Sequence, residues 1–152
     1  MRLIIVAAAA LTLAFSAAAE EPNAASADEV AITAAVLDYF HGQGQGSAER
    51  LNRAFAVEHA VMVGVMRAPD GAQSLRSWKD MREPIANWSK TPNPTAPDRD
   101  GEILDMHVVD NRIATVMFRS TDRYYDALTL VKIDGQWKIL VSHNSARKPK
   151  GS

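Results

Sequence analysis

Hydrophobic positions along the chain fall first in one continuous run, then at helical spacing, then in alternating β-rich segments. Leu3 to Phe15 is apolar throughout and is followed by Ser16-Ala17-Ala18-Ala19 and then Glu20-Glu21-Pro22. One positive charge at Arg2, a short apolar core and small residues in an Ala-x-Ala arrangement describe a secretory signal peptide over residues 1–19, cleaved after Ala19. The run is too short to span a bilayer comfortably. Residues 20–27 hold Ala, Ser, Glu, Pro and Asn with nothing to bury, and read as a disordered lead.

Helical periodicity follows. Ser26-Ala27-Asp28-Glu29 is a Ser-x-x-Glu capping box, and Val30, Thr33, Leu37 and Phe40 recur beside Ile32, Val36 and Tyr39, predicting a helix from about Asp28 to His41. Gly42, Gly44 and Gly46 are expected to end it, with Ser47 capping a short second helix that aligns Leu51, Ala54 and Phe55. His59 to Met66 reads as a strand, closed by a turn at Pro69-Asp70-Gly71. Trp78, Met81, Ile85 and Trp88 then fall on one side of a predicted third helix, with Ser77 as its cap and Pro84 expected to kink it.

Residues 89–101 form a long Pro-rich connection of the kind used as a lid or binding loop, or as a plain surface excursion. The rest alternates. Glu102–Val109 and Arg112–Ser120 flank Asp110-Asn111, and Tyr124–Ile133 and Gln136–Asn144 flank Asp134-Gly135, a pair suited to a turn with positive φ at both central residues. Residues 147–152 read as a flexible tail. The order implies an α+β domain over residues 28–146, with helices gathered on one face of a bent antiparallel sheet. On Tyr124–Ile133, Leu128 and Leu130 share one face while Ala127, Val131 and Ile133 share the other. Apolar residues on both faces imply a second cover, most simply a homodimer partner on the outer sheet face.

Composition narrows the partners. Removing the first 19 of 152 residues leaves 133, one domain, in which 16 basic residues face 18 acidic ones, a charge of −2. Without a basic cluster, nucleic acid is not an implied ligand. No cysteine is present, so no disulfide and no lipid attached through cysteine enters the picture. With no second apolar segment of membrane length, a periplasmic or secreted product is expected.

The helix ending in Tyr39-Phe40-His41-Gly42, Ala54-Phe55 before Met62-Val63-Gly64-Val65, and Tyr124-Tyr125-Asp126-Ala127-Leu128-Thr129-Leu130-Val131-Lys132 with Asp134-Gly135-Gln136-Trp137-Lys138-Ile139 resemble one known group. They look like the lumazine-binding-like proteins of the nuclear transport factor 2-like superfamily, which includes SnoaL-like cyclases and ketosteroid isomerases. The resemblance implies a curved antiparallel sheet wrapped around N-terminal helices, a cone-shaped pocket, and dimerisation through the sheet's outer face. Relatives often carry His-Pro-Asp/Glu-Ala after the second helix. Ala56-Val57-Glu58-His59-Ala60 lacks the His-Pro pair, so no role passes to His59. Binders and enzymes share this fold, which therefore licenses no reaction by itself.

The chemistry on offer is sparse. His41, His59, His107 and His143 show no metal-ligand spacing, so no metal site is expected, and no cofactor is implied. Proton transfer in a pocket would need a carboxylate or histidine base in apolar surroundings with a hydroxyl nearby. Asp126 and His143 are the candidate catalytic bases, with Tyr39 or Tyr124 stabilising an oxygen. Asp126 reads also, and more simply, as a solvated carboxylate near a strand end that pairs with Arg123 or with backbone donors. His143 shares parity with Trp137, Ile139 and Val141, which would turn it inward, as a pocket or core residue. His107 shares parity with Ile103, Asp105 and Val109, so Asp105 could orient its imidazole, or the two form an ordinary exposed pair. Ligand-binding candidates are Tyr39, Trp78, Trp88, His107 and Tyr124, because one of Tyr124 and Tyr125 must point inward and tryptophans suit a flat organic ligand; the tryptophans serve equally as core. Three functions stay open: an exported binder of a small organic molecule, an isomerase, dehydratase or cyclase, and a protein-interaction module of the cell envelope.

Overall fold

The computed structural model describes residues 26–92, 100–120 and 124–146. The expected signal peptide, nearly all of the lead, residues 93–99 of the Pro-rich connection, Arg123 and the tail lie outside the described residues. In chain order the elements are α1 (Ala27–Gln45), α2 (Ala48–Ala54), β1 (Val61–Arg67), β2 (Gln73–Trp78), α3 (Arg82–Lys90), β3 (Gly101–Val109), β4 (Ile113–Ser120), β5 (Tyr124–Ile133) and β6 (Gln136–Ala146).

Local sequence explains most of these bounds. The Ser26 hydroxyl accepts from the Glu29 N–H while the Glu29 carboxylate accepts from the Ser26 N–H, so the capping box starts α1 as the sequence implies. The helix does not stop at Gly42. It runs through Gly42 and Gly44 to Gln45 and ends at Gly46 in the left-handed conformation. A Cβ on Gly42 would lie 2.9 Å from the Leu51 side chain, so this glycine serves the close approach of α2 rather than a break. Ser47 caps α2, its hydroxyl accepting from Arg50 N–H.

The six strands form one sheet in the order β2-β1-β6-β5-β4-β3. All neighbours are antiparallel except β1 and β6, which run parallel, so the sheet is mixed rather than purely antiparallel. Both expected hairpin turns form: Asp110 and Asn111 have φ of 50° and 52°, and Asp134 and Gly135 have 48° and 77°.

Residues 73–78 depart from the sequence reading. They form β2, an edge strand pairing Met62 with Trp78 and Arg67 with Gln73, where the helical spacing of Trp78 and Met81 had suggested the start of a helix. The third helix begins only at Arg82, and Asp80 rather than Ser77 accepts the Arg82 N–H. Pro84 therefore lies in the first turn, where an N–H has no helical partner to lose, and the helix forms without the interior break expected.

Helices α1–α3 cover the concave face of the sheet. Ile32, Val36, Tyr39 and Phe40 of α1, Leu51 of α2, Met81 just before α3 and Ile85 within it join Phe118, Leu128, Leu130, Trp137 and Ile139 in one core. Each such large side chain contributes about 1.5–3 kcal/mol of hydrophobic stabilisation. Val30 is exposed, so the buried stripe of α1 runs through Ile32, Val36 and Tyr39. The convex face carries apolar groups that no other described residue covers, including Leu75 at 74% exposure, Ile133 at 45% and Met117 at 41%. Among the described residues no helix is long and apolar enough to cross a membrane.

Candidate functional site

Strand register lays side chains in rows across the concave face, because directly paired residues share a face. One row runs Ile103, Phe118, Asp126, Asn144, Gly64, Arg76 from β3 to β2. Its deeper neighbour runs Met106, Val116, Leu128, Ser142, Met62, Trp78 and is nearly all apolar. Polar chemistry is thus concentrated on the first row, beneath α1 and α3.

Asp126 is buried at 3% exposure, and the Tyr39 hydroxyl donates to its Oδ1 at 3.3 Å. Asp126 is thus not solvated, while the pairing with Arg123 expected for it lies outside the described residues. Tyr39 in turn packs edge-on against Phe55 at 5.1 Å between centroids and lies 5.9 Å from Trp88, so α1, β5 and α3 meet at this ring. Asn144 stands beside Asp126, and a Cβ on Gly64 would fall 2.7 Å from its Oδ1. The missing side chain at Gly64 is what lets the Asn144 amide lie across β1.

A cavity of about 240 Å³ opens beside this row. Tyr39 and Gln43 come to it from α1, Met66 from β1, Arg76 and Trp78 from β2, Pro84, Asn87 and Trp88 from α3, Tyr124 from β5 and Asn144 from β6. Its wall therefore combines aromatic faces with three primary amides and one guanidinium. Arg76 sits 4.6 Å above the Trp78 ring and donates to Glu83 at 3.3 Å. A second, shallower groove lies between the N-terminal half of α1 and the β5–β6 turn, bordered by Asp38, Arg53, Trp137 and Lys138. Hydrogen bonds from Arg53 and then Arg50 hold the Asp38 carboxyl below its ordinary value, against partial desolvation.

The sequence matches the model of the family described as "Putative lumazine-binding" over residues 27–143. The chain belongs to this family. The lumazine-binding family assignment agrees with solved folds. A nuclear transport factor 2-like protein of unknown function from Shewanella baltica superposes with a TM-score of 0.67 at 18% identity, covering 83% of this chain and 99% of its own. One from Silicibacter pomeroyi gives 0.63 at 23%, covering 78% and 94%. A third, from Methylobacillus flagellatus, gives 0.62 at 21%, covering 82% and 96%. A comparison with curated proteins returned no match.

In this member of the lumazine-binding family, Tyr39, Trp78, Trp88 and Tyr124 meet on the cavity wall, while His107 and His143 do not. Both histidines are exposed on the convex face: the inward placement that parity implied for His143 fails, and for His107 the exposed reading holds over a place on the cavity wall. The cause is the same in each strand. Thr129 pairs with Val141 but Leu130 with Ile139, so Leu140 is an extra residue in β6, and beyond it Ser142 and Asn144 turn inward while His143 turns out. Likewise Ile103 pairs with Phe118 and Asp105 with Met117, which makes Leu104 extra and reverses parity before His107. Tyr124 faces the cavity and Tyr125, 40% exposed, the opposite side.

Sequence reasoning missed Gln43, Arg76, Asn87 and Asn144. Gln43 lies past the glycine taken as the end of α1, and Arg76 sits on a strand with too little apolar alternation to be seen. Asn144 had a usable signal, since its strand partner Asp126 was already a candidate.

Proposed function

We propose that this chain is an exported binding protein whose cavity takes a small, flat organic molecule. The observation that carries the reading is the 240 Å³ cavity, walled by Tyr39, Trp78, Trp88 and Tyr124 together with the amides of Gln43, Asn87 and Asn144. Aromatic faces hold a ring system by stacking, and primary amides offer paired donors and acceptors to its edge. The volume lies under the roughly 300–1,000 Å³ of pockets for drug-sized ligands, which points to one or two fused rings. Lumazine, named in the family's description, is a flat heterocycle of this size and is the first ligand to test. Export rests on residues 1–19, and a mature N-terminus at Glu20 by mass spectrometry checks it. Two copies joined through the convex face would cover the exposed apolar residues there.

The test is a titration with lumazine and other one- and two-ring heterocycles, followed through the side-chain amide resonances of Gln43, Asn87 and Asn144. Shifts confined to those amides and to the Trp78 and Trp88 indoles support binding in the cavity. Shifts only on the convex face overturn it.

An enzymatic reading has one observation in its favour, the buried Asp126 carboxyl against the Tyr39 hydroxyl. A general base must come within hydrogen-bond reach of the proton it removes. Asp126 is not among the residues that border the cavity, whereas Tyr39 is, so the pair serves better to fix the Tyr39 ring than to move a substrate proton. Binding is therefore the reading favoured here.

A further inference from the structure

The cavity wall carries one charged side chain among its described residues, Arg76, and the way it is held bears on what the cavity accepts. Its guanidinium carbon lies 4.6 Å from the Trp78 ring centroid, a stack that fixes the planar group at low entropic cost. Its ion partner among the described residues is Glu83 of α3, met through one contact at 3.3 Å. Both side chains are more than half exposed, at 54% and 64%, so this pair contributes little and exchanges readily. Guanidinium offers five N–H donors in a fork that fits a carboxylate through two parallel bonds, and a single contact to Glu83 leaves most of that capacity unused.

Charge along the row gives the ligand a direction. Arg76 is separated from Asn144 by the missing side chain of Gly64. An anionic group is therefore favoured at the Arg76 end, while the flat body reaches Asn144, Tyr39 and Trp88. A single guanidinium balances a single negative charge. A doubly charged phosphate would leave excess charge in a site with no second cation on its described wall.

We propose that the ligand is a small aromatic or heteroaromatic carboxylate, and that its carboxylate displaces Glu83 from Arg76 on entry. This rests on the binding reading of the cavity, and it makes Arg76 the specificity-determining residue and Glu83 a stand-in that occupies it in the empty protein.

The test compares 2-naphthoate with 2-naphthamide, two probes of nearly equal shape that differ in charge, by calorimetric titration of the full mature chain. Wild type is expected to bind naphthoate roughly ten-fold more tightly than naphthamide. Arg76→Gln should remove that preference, bringing naphthoate down to the affinity of naphthamide, and Glu83→Gln should strengthen naphthoate alone by a few-fold. Arg76→Lys should keep part of the preference, because charge remains while the fork and the stack are lost. Equal binding of both probes by wild type, or a preference that survives Arg76→Gln, overturns the charge assignment while leaving the cavity reading standing. Failure of both probes to bind, where a neutral heterocycle such as lumazine does bind, overturns the carboxylate inference and leaves the cavity reading standing; failure of the whole heterocycle panel overturns both.

Discussion

The Tyr39 hydroxyl donates to Asp126 Oδ1 at 3.3 Å, joining α1 to the middle of the sheet across 87 positions of sequence, with both side chains buried. A buried acceptor that loses a donor costs about 1–3 kcal/mol. Tyr39→Phe, which preserves the ring contacts with Phe55 and Trp88, should lower stability by about 1–3 kcal/mol in urea unfolding. A change within error would show that the contact does not hold α1 in place.

Gly64 and Asn144 form a pair of a different kind, in which one residue's lack of a side chain makes room for the other's. Gly64→Ala would set a Cβ 2.7 Å from Asn144 Oδ1 and should cost about 1–3 kcal/mol, as overpacking does. Asn144→Ser removes the obstacle, so the double variant should be more stable than the sum of the single changes implies. Strict additivity in a thermal-unfolding cycle would contradict this geometry.

Acid should weaken the fold in part through Asp38. Its folded pKa is held below the ordinary value by Arg53 and then Arg50, so between the two values the folded state binds fewer protons than the unfolded one. That stabilisation is complete above the unfolded value of ~3.9 and is lost as pH falls through the lower folded value. Asp28, held low by Lys132 and then Trp137, acts in the same direction. Asp38→Asn should lose roughly 1 kcal/mol near neutrality and show a shallower fall in Tm between pH 5 and pH 2.5. A fall parallel to wild type would remove Asp38 from the account.

Much of this architecture is legible in local chemistry. Ser26 and Ser47 cap helices because a hydroxyl at that position satisfies an N–H of the first turn, and the Asp110-Asn111 and Asp134-Gly135 turns need only their own backbone preferences. What escaped reading depends on pairing across the sheet. Gln73–Trp78 is an exposed edge strand with too few apolar positions to alternate, and its partner β1 supplies the order that its sequence lacks. The facing of His143 was misread, and His107 stayed open as a wall residue, because the extra residues at Leu140 and Leu104 exist only relative to β5 and β4. Four aromatic wall residues were legible by type. Arg76 and Gln43 were not, because one sits on the unseen strand and the other beyond a glycine that the helix in fact runs through.

The convex face supplies a prediction about assembly. Met117, 41% exposed, pairs with Asp105 and Ala127 on that face, in β4, one strand in from the β3 edge. If two copies meet there, Met117→Lys should convert a dimer into a monomer in light scattering coupled to size exclusion, with the circular dichroism of the fold retained. A wild type that runs as a monomer at high micromolar concentration, or a variant that stays dimeric, would contradict it.

The claim that matters most is that the cavity bordered by Tyr39, Trp78, Trp88 and Tyr124 binds a small organic molecule, and a thermal-shift screen on two proteins tests it directly. Wild type and Asn87→Trp, which fills the cavity from an exposed position on α3, are melted with a panel of one- and two-ring aromatic and heterocyclic metabolites that includes lumazine. A ligand at 100 times its Kd stabilises by about 2.7 kcal/mol, a rise of several degrees in Tm. The account predicts such a rise for at least one compound in wild type and its loss in Asn87→Trp. No rise with any compound, or equal rises in both proteins, would contradict it.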